Sequence, residues 1–179
     1  GKEMAAKGSD VLLAPGMNIH RSPLCGRNFE YFSEDPLLTG IMAAAVVRGV
    51  QKAGVSACPK HFACNNKETN RMESNSILSE RALREIYIKG FEICVKESSP
   101  KLIMTAYNLV NGVRASENAE LIMGILRGEW GYDGLVTTDW HNTASQTKEV
   151  LAGNDIRMPI TATDDLAAGF SSGAITRDE

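Results

Sequence analysis

The chain has 179 residues, of which 43% are hydrophobic and 23% charged. Those proportions are ordinary for a globular domain and exclude disordered, collagen-like and low-complexity classes. With 19 Lys and Arg against 22 Asp and Glu, the formal charge is −3, so no basic surplus exists to neutralise a phosphate backbone and nucleic acid is not an expected partner. No apolar run approaches the roughly 20 residues that cross a bilayer, so no membrane partner is expected either. Gly1-Lys2-Glu3 is neither an initiator nor the basic start of a signal peptide. For a cut piece that leaves cytoplasmic, periplasmic and secreted locations all open.

The predicted elements alternate. Asp10 to Ala14 is an apolar run stopped by Pro15-Gly16, as in a buried parallel strand. Asp35-Pro36 opens a helix, with Asp as cap and Pro at the first position. Its apolar positions run from Leu38 to Val50, and Gly54 stops it. Val55 to Cys58 is a second strand. Ser79 caps a helix striped by Leu83, Ile86, Tyr87, Phe91, Cys94 and Val95, which Pro100 cannot continue. Leu102 to Ala106 is a third strand. Asn118 opens a helix carrying Leu121, Ile122, Ile125 and Leu126, and Gly134 to Thr138 is a fourth strand. A helix near Ser145 to Ala152 leads to a short fifth strand at Asn154-Asp155-Ile156, and Asp164 to Phe170 begins one more helix.

Strands alternating with helices predict parallel α/β architecture. No GxGxxG or Walker loop follows any strand, so neither nucleotide-binding fold has its signature. A (β/α)8 TIM-type barrel remains, but a whole one takes about 250 residues. The expected fold is therefore an incomplete barrel, and residues 1–179 form one partial domain.

Barrel chemistry sits at the C-terminal ends of strands. Those ends carry Asn18-Ile19-His20-Arg21 with Arg27, then Lys60-His61, Tyr107-Asn108, Asp139-Trp140 and Asp155. Glu30, Glu34 and Asp35 read as an acidic loop with a helix cap. Glu80, Arg81, Arg84 and Glu85 read as a solvated helix face. Glu129 and Trp130 precede the fourth strand and are expected to pack helix against sheet. The cysteines, Cys25, Cys58, Cys64 and Cys94, are too few for a disulfide framework and read as buried thiols. Cys58 and Cys64 flank His61, but their spacing matches no standard zinc pattern, so no metal is expected.

Five stretches together are distinctive: NIHRSPLCGRNFEYFSEDP (18–36), KHFACNNKETNR (60–71), MTAYNLVNG (104–112), LRGEWGYDGLVTTDW (126–140) and AGNDIRMP (152–159). In this order they resemble the N-terminal barrel domain of glycoside hydrolase family 3, in its β-glucosidase branch. The resemblance implies retaining hydrolysis of terminal β-D-glucosyl residues, with Asp139 as nucleophile and no cofactor. Retaining chemistry uses a carboxylate nucleophile and a second carboxyl as acid/base. A nucleophile kept ionised wants cations around it, which Lys60 and the arginines can supply. The resemblance further implies that Arg27, Lys60, His61 and Arg71 bind sugar hydroxyls. Tyr107 would donate toward the nucleophile, and Met104 and Trp140 would wall the subsite, Met104 being equally readable as core. Asp155 would bond the strand end behind the site. Arg21 is assigned to ion pairing within its own loop. His141 departs from the family, in which a small residue is commoner after Asp-Trp.

The acid/base Glu of that branch comes from a domain downstream of the barrel, which these residues do not include. The N-acetylglucosaminidase branch uses a histidine-bearing loop, KHFPGHG, where this sequence has KHFACNN. A hydroxyl-binding Asp from an earlier loop is also missing, with the first strands. The chain is thus expected to be truncated at both ends, to need the missing C-terminal domain as partner, and to be inactive or very weak alone. Its open strand edges favour association. Alternatives are a β-xylosidase or arabinosidase on the same scaffold, or a non-catalytic carbohydrate-binding fragment.

Overall fold

β1 (Val11–Leu12) lies parallel to β2 (Ser56–Ala57). The chain passes Pro59 into β3 (Lys60–Phe62), where Gly16 bridges Lys60 and the Met17 N–H donates to the Lys60 carbonyl at 2.7 Å. β3 pairs in parallel with β5 (Leu102–Thr105), and β5 pairs in parallel with β8 (Leu135–Thr137). The predicted fifth strand is shorter than expected: only a single parallel bridge joins Thr137 to Ile156. Each stave neighbours the next one in the chain, the order of a parallel barrel, and the wall stays open between β1 and Ile156. The computed structural model describes residues 1–177.

Helices cover one face of this wall. Asp35 caps α2 (Pro36–Gln51), its carboxylate accepting from the Leu37 N–H at 2.7 Å. α2 packs on α4 (Lys89–Ser98), with Gly40 set closely against Gly90 and Ile93. Ser79 caps α3 (Glu80–Ala82) as expected, but Leu83–Tyr87 is π-wound before α4 begins. The helix Glu120–Glu129 is also π-wound, and buries Leu121, Ile122, Ile125 and Leu126. α5 (Gln146–Ala152) is capped by Ser145, and α6 (Thr163–Ser172) follows. Phe62, Phe91, Ile103 and Val136 join these helical residues in the main core.

Other expectations change. Lys60 and His61 do not follow the second strand but lie within β3, because the strand restarts after Pro59. Trp130 does pack inward, edge-on to Phe62 at 5.9 Å. Glu129 instead faces Arg84, whose guanidinium donates two bonds to it at 2.6 and 2.9 Å. Two features lay outside the sequence reading: the short helix α1 (Lys2–Ala6), and a hairpin of β6 (Leu109–Val110) and β7 (Val113–Arg114) beside β4 (Asn75–Ser76). The hairpin did carry a signal. Asn111-Gly112 is a preferred pair for a two-residue turn with positive φ at both positions, and their φ values are 49° and 90°.

Candidate active site

Asp139 stands two residues beyond β8, where the apolar run LVT gives way to polar residues. Its Oδ1 accepts the Trp140 N–H at 2.7 Å. Its Oδ2 is buried and has no hydrogen-bond partner among the described residues. His61 Nε2 lies 3.5 Å from that oxygen. Burial raises the pKa of Asp139, while the Trp140 N–H, Arg27, Tyr107 and Arg71 act the other way. The result is a desolvated carboxyl group faced by cations and donors.

His61 is held as a neutral base. Burial lowers its pKa far below the usual imidazole value, and Arg27, Lys60 and Arg71 push in the same direction. Its contact with Asp139 is therefore not an ion pair, despite the short separation. Asn18 clamps its backbone from both sides: the Asn18 amide donates to the His61 carbonyl at 2.9 Å and accepts the His61 N–H at 2.9 Å. Asn18 Oδ1 and the Tyr31 hydroxyl also lie 3.3 and 3.4 Å from the ring Nδ1.

The cations come from separate segments, Arg27 and Arg71 from loops and Lys60 from the start of β3. Arg27 precedes a single 3-10 turn, Asn28–Glu30, and its Nε donates to Glu30 Oε1 at the end of that turn. Lys60 Nζ lies 3.8 Å from Glu30 Oε2. Arg71 donates to Glu68 at 3.0 Å and stacks over the Tyr107 ring at 4.8 Å. Tyr107 donates its hydroxyl proton to the Trp140 carbonyl. Burial, with the adjacent Asp139 charge, pushes the Tyr107 phenol up to about 12. Trp140 is 46% exposed, so its indole offers a face at the mouth of the site.

The structure thus gathers Arg27, Lys60, His61, Arg71, Tyr107 and Trp140 around Asp139. Met104 does not share that exposure. It is 1% exposed and packs with Cys58 and Leu102, so here it belongs to the core, the second of the two roles considered for it. Arg21 is not ion-paired within its loop; it donates to the Tyr87 hydroxyl at 3.0 Å and lies over that ring. Asp155 accepts the Val136 N–H at 2.6 Å and Arg127 at 2.7 Å, tying the strand from outside the site. His141 is exposed with a φ of 55°, and its N–H donates to the Met158 carbonyl at 3.1 Å. The four cysteines are free and buried, and burial pushes the Cys58 thiol up to about 12, which makes it inert. The sequence reading missed Asn18 and Tyr31 as supports of His61. It also grouped Glu30 with an acidic loop, whereas its carboxylate pairs with both Arg27 and Lys60.

Comparisons with known proteins agree with this layout. The family model "Glycosyl hydrolase family 3 N terminal domain" matches residues 1–173. Beta-glucosidase A of Butyrivibrio fibrisolvens is 54% identical over 179 residues, covering 100% of this chain and 22% of that protein. Beta-glucosidase B of Emericella nidulans is 50% identical over 180 residues, covering 98% of this chain and 21% of that protein. The solved structure of beta-glucosidase 3B from Thermotoga neapolitana in complex with glucose superposes with a TM-score of 0.96 at 49% identity, over 99% of this chain and 26% of that one. The chain spans about a fifth of the length of the curated relatives it matches. Both the sequentially ordered parallel wall and the match across nearly all of its residues say the same thing: this chain belongs to glycosyl hydrolase family 3 and corresponds to the family's N-terminal domain.

Proposed function

We propose that this chain carries the sugar-binding and nucleophilic part of a retaining β-glucosidase acting on terminal β-D-glucosyl residues of glucosides or oligosaccharides. The observation that carries the proposal is the free, buried Oδ2 of Asp139, set beside neutral His61 and faced by the charges of Arg27 and Arg71. Asp139 attacks the anomeric carbon, the bond to the leaving oxygen breaks, and that oxygen takes a proton. Water then hydrolyses the glycosyl ester, so the product keeps the β configuration. The steps require no cofactor. Arg27, Lys60, His61 and Arg71 hold the ring hydroxyls, and Trp140 offers an apolar face to the sugar. The names of the relatives support glucosyl over other sugars.

The leaving oxygen needs an acid. Glu30 and Glu68 are both paired with cations. We assign the acid to residues outside these 179. Without it, hydrolysis of an unactivated disaccharide by the chain alone loses about 10²–10⁴-fold.

An activated substrate bypasses that requirement. With 2,4-dinitrophenyl β-glucoside the chain should release one equivalent of dinitrophenolate in a burst, then turn over slowly. Azide should speed the slow phase and yield β-glucosyl azide. A burst that survives Asp139→Ala, or an α-configured azide product, would contradict the proposal.

A further inference from the structure

Arg27 lies in the loop after β1 and Lys60 in β3, yet one carboxylate joins them. Glu30 Oε1 accepts from Arg27 Nε, and Glu30 Oε2 lies 3.8 Å from Lys60 Nζ. Among the described residues neither cation has another carboxylate at salt-bridge distance. All three side chains are about one-fifth exposed, at 18%, 17% and 22% for Arg27, Lys60 and Glu30, so the pairs are only partly screened. Arg27 is engaged at Nε, and among the described residues neither of its Nη groups has a protein acceptor. A guanidinium held that way can address two adjacent oxygens at once.

The backbone is shaped for this carboxylate. Gly16 is buried and bridges Lys60 directly. A Cβ placed on Gly16 would stand 3.0 Å from Glu30 Oε2 and 3.0 Å from two carbons of the Tyr31 ring. Only a bare backbone lets the Arg27–Tyr31 segment lie this close to the strand. The same approach delivers Tyr31 to His61 Nδ1 at 3.4 Å. One missing side chain therefore seats both a carboxylate between two cations and a phenol against the neutral base.

We infer that Glu30 is a positioning residue, a single carboxylate that fixes the Arg27 guanidinium and the Lys60 ammonium relative to each other so that together they grip neighbouring hydroxyls of one sugar ring. This rests on the glucosidase proposal. The grip acts on the bound sugar before and during bond-breaking alike, so its loss weakens binding more than chemistry.

The test uses the chain with an activated 2-deoxy-2-fluoro-β-glucoside, separating reversible binding (Ki) from covalent capture (ki). Glu30→Gln keeps the shape and removes the charge. It should raise Ki about 10- to 100-fold while ki changes by less than about threefold. Gly16→Ala, acting through the close approach alone, should move Ki in the same direction. A purely structural role would lower the labelled fraction and leave Ki unchanged. A Glu30→Gln protein that binds as tightly as the parent would overturn the inference. If the parent chain takes no label at all, the glucosidase proposal fails on its own. The Arg27 Nε–H resonance then decides the Glu30 inference: in Glu30→Gln it should shift and exchange faster, and an unmoved signal would overturn it.

Discussion

Asp139 is held in a place that costs stability. Burial raises its pKa, and the Trp140 N–H, Arg27, Tyr107 and Arg71 only partly oppose that. A carboxyl whose folded pKa is raised favours the fold at low pH, and that contribution is lost as the pH rises through the folded value. Above that value the buried charge works against the fold. Asp139→Asn should therefore raise the melting temperature at pH 7 by about 2–4 °C, if the gain is about 1 kcal/mol for a domain of this size. The gain should shrink as the pH falls through the folded value, where the Asp139 carboxyl takes up its proton. Calorimetry across that pH range checks it; a variant less stable at pH 7 would show that the cations outweigh the desolvation. The identity of Asp139 was legible from TDW at a strand end. Glu30 was not, because nothing in the local run Glu30, Glu34, Asp35 marks one acidic residue as different. Its partner Lys60 meets it only through the fold.

The β8–α5 connection shows how an element carries the site. Arg157 donates to the Asn142 carbonyl at 3.0 Å, to the Ala144 carbonyl at 2.9 Å and to Glu149 at 2.8 Å. Glu149 lies on α5 and its side chain is 2% exposed. Removing one member of such a buried pair strands the other charge, at about 3–5 kcal/mol. Arg157→Met should therefore lower the melting temperature steeply, and adding Glu149→Gln should recover part of the loss. A double variant no more stable than Arg157→Met would place the effect in the lost carbonyl bonds instead. Element existence was readable where strong rules apply, as with the caps Asp35 and Ser79. The π-wound segments were not, since their apolar spacing is the same as that of an ordinary helix over so short a span. The hairpin at 109–114 was readable from Asn111-Gly112 but is only two residues long on each side, too short for alternation to register.

Taken whole, the molecule is an open parallel wall with its helices on one face. Stave order agrees with the alternation of strands and helices, since consecutive strands of such units most often lie side by side. The fifth stave was over-read: Ile156 pairs through one bridge and remains 40% exposed. Leu135 at 45% and Ile160 at 71% add further apolar surface along the same stretch of chain. The rim of the wall is nevertheless assembled. Asp139 beyond β8, Lys60 and His61 of β3, and Arg27 of the loop after β1 still meet within hydrogen-bonding or ion-pairing reach of one another or of a shared carboxylate. Whether that rim does chemistry is most directly tested by intact-mass labelling of the folded chain with an activated 2-deoxy-2-fluoro-β-glucoside, followed by peptide mapping. Such a reagent needs little help from an acid. One adduct per chain, mapped to Asp139, is expected. A folded chain that takes no label, or an adduct on any other carboxylate, would contradict the assignment of Asp139 as nucleophile.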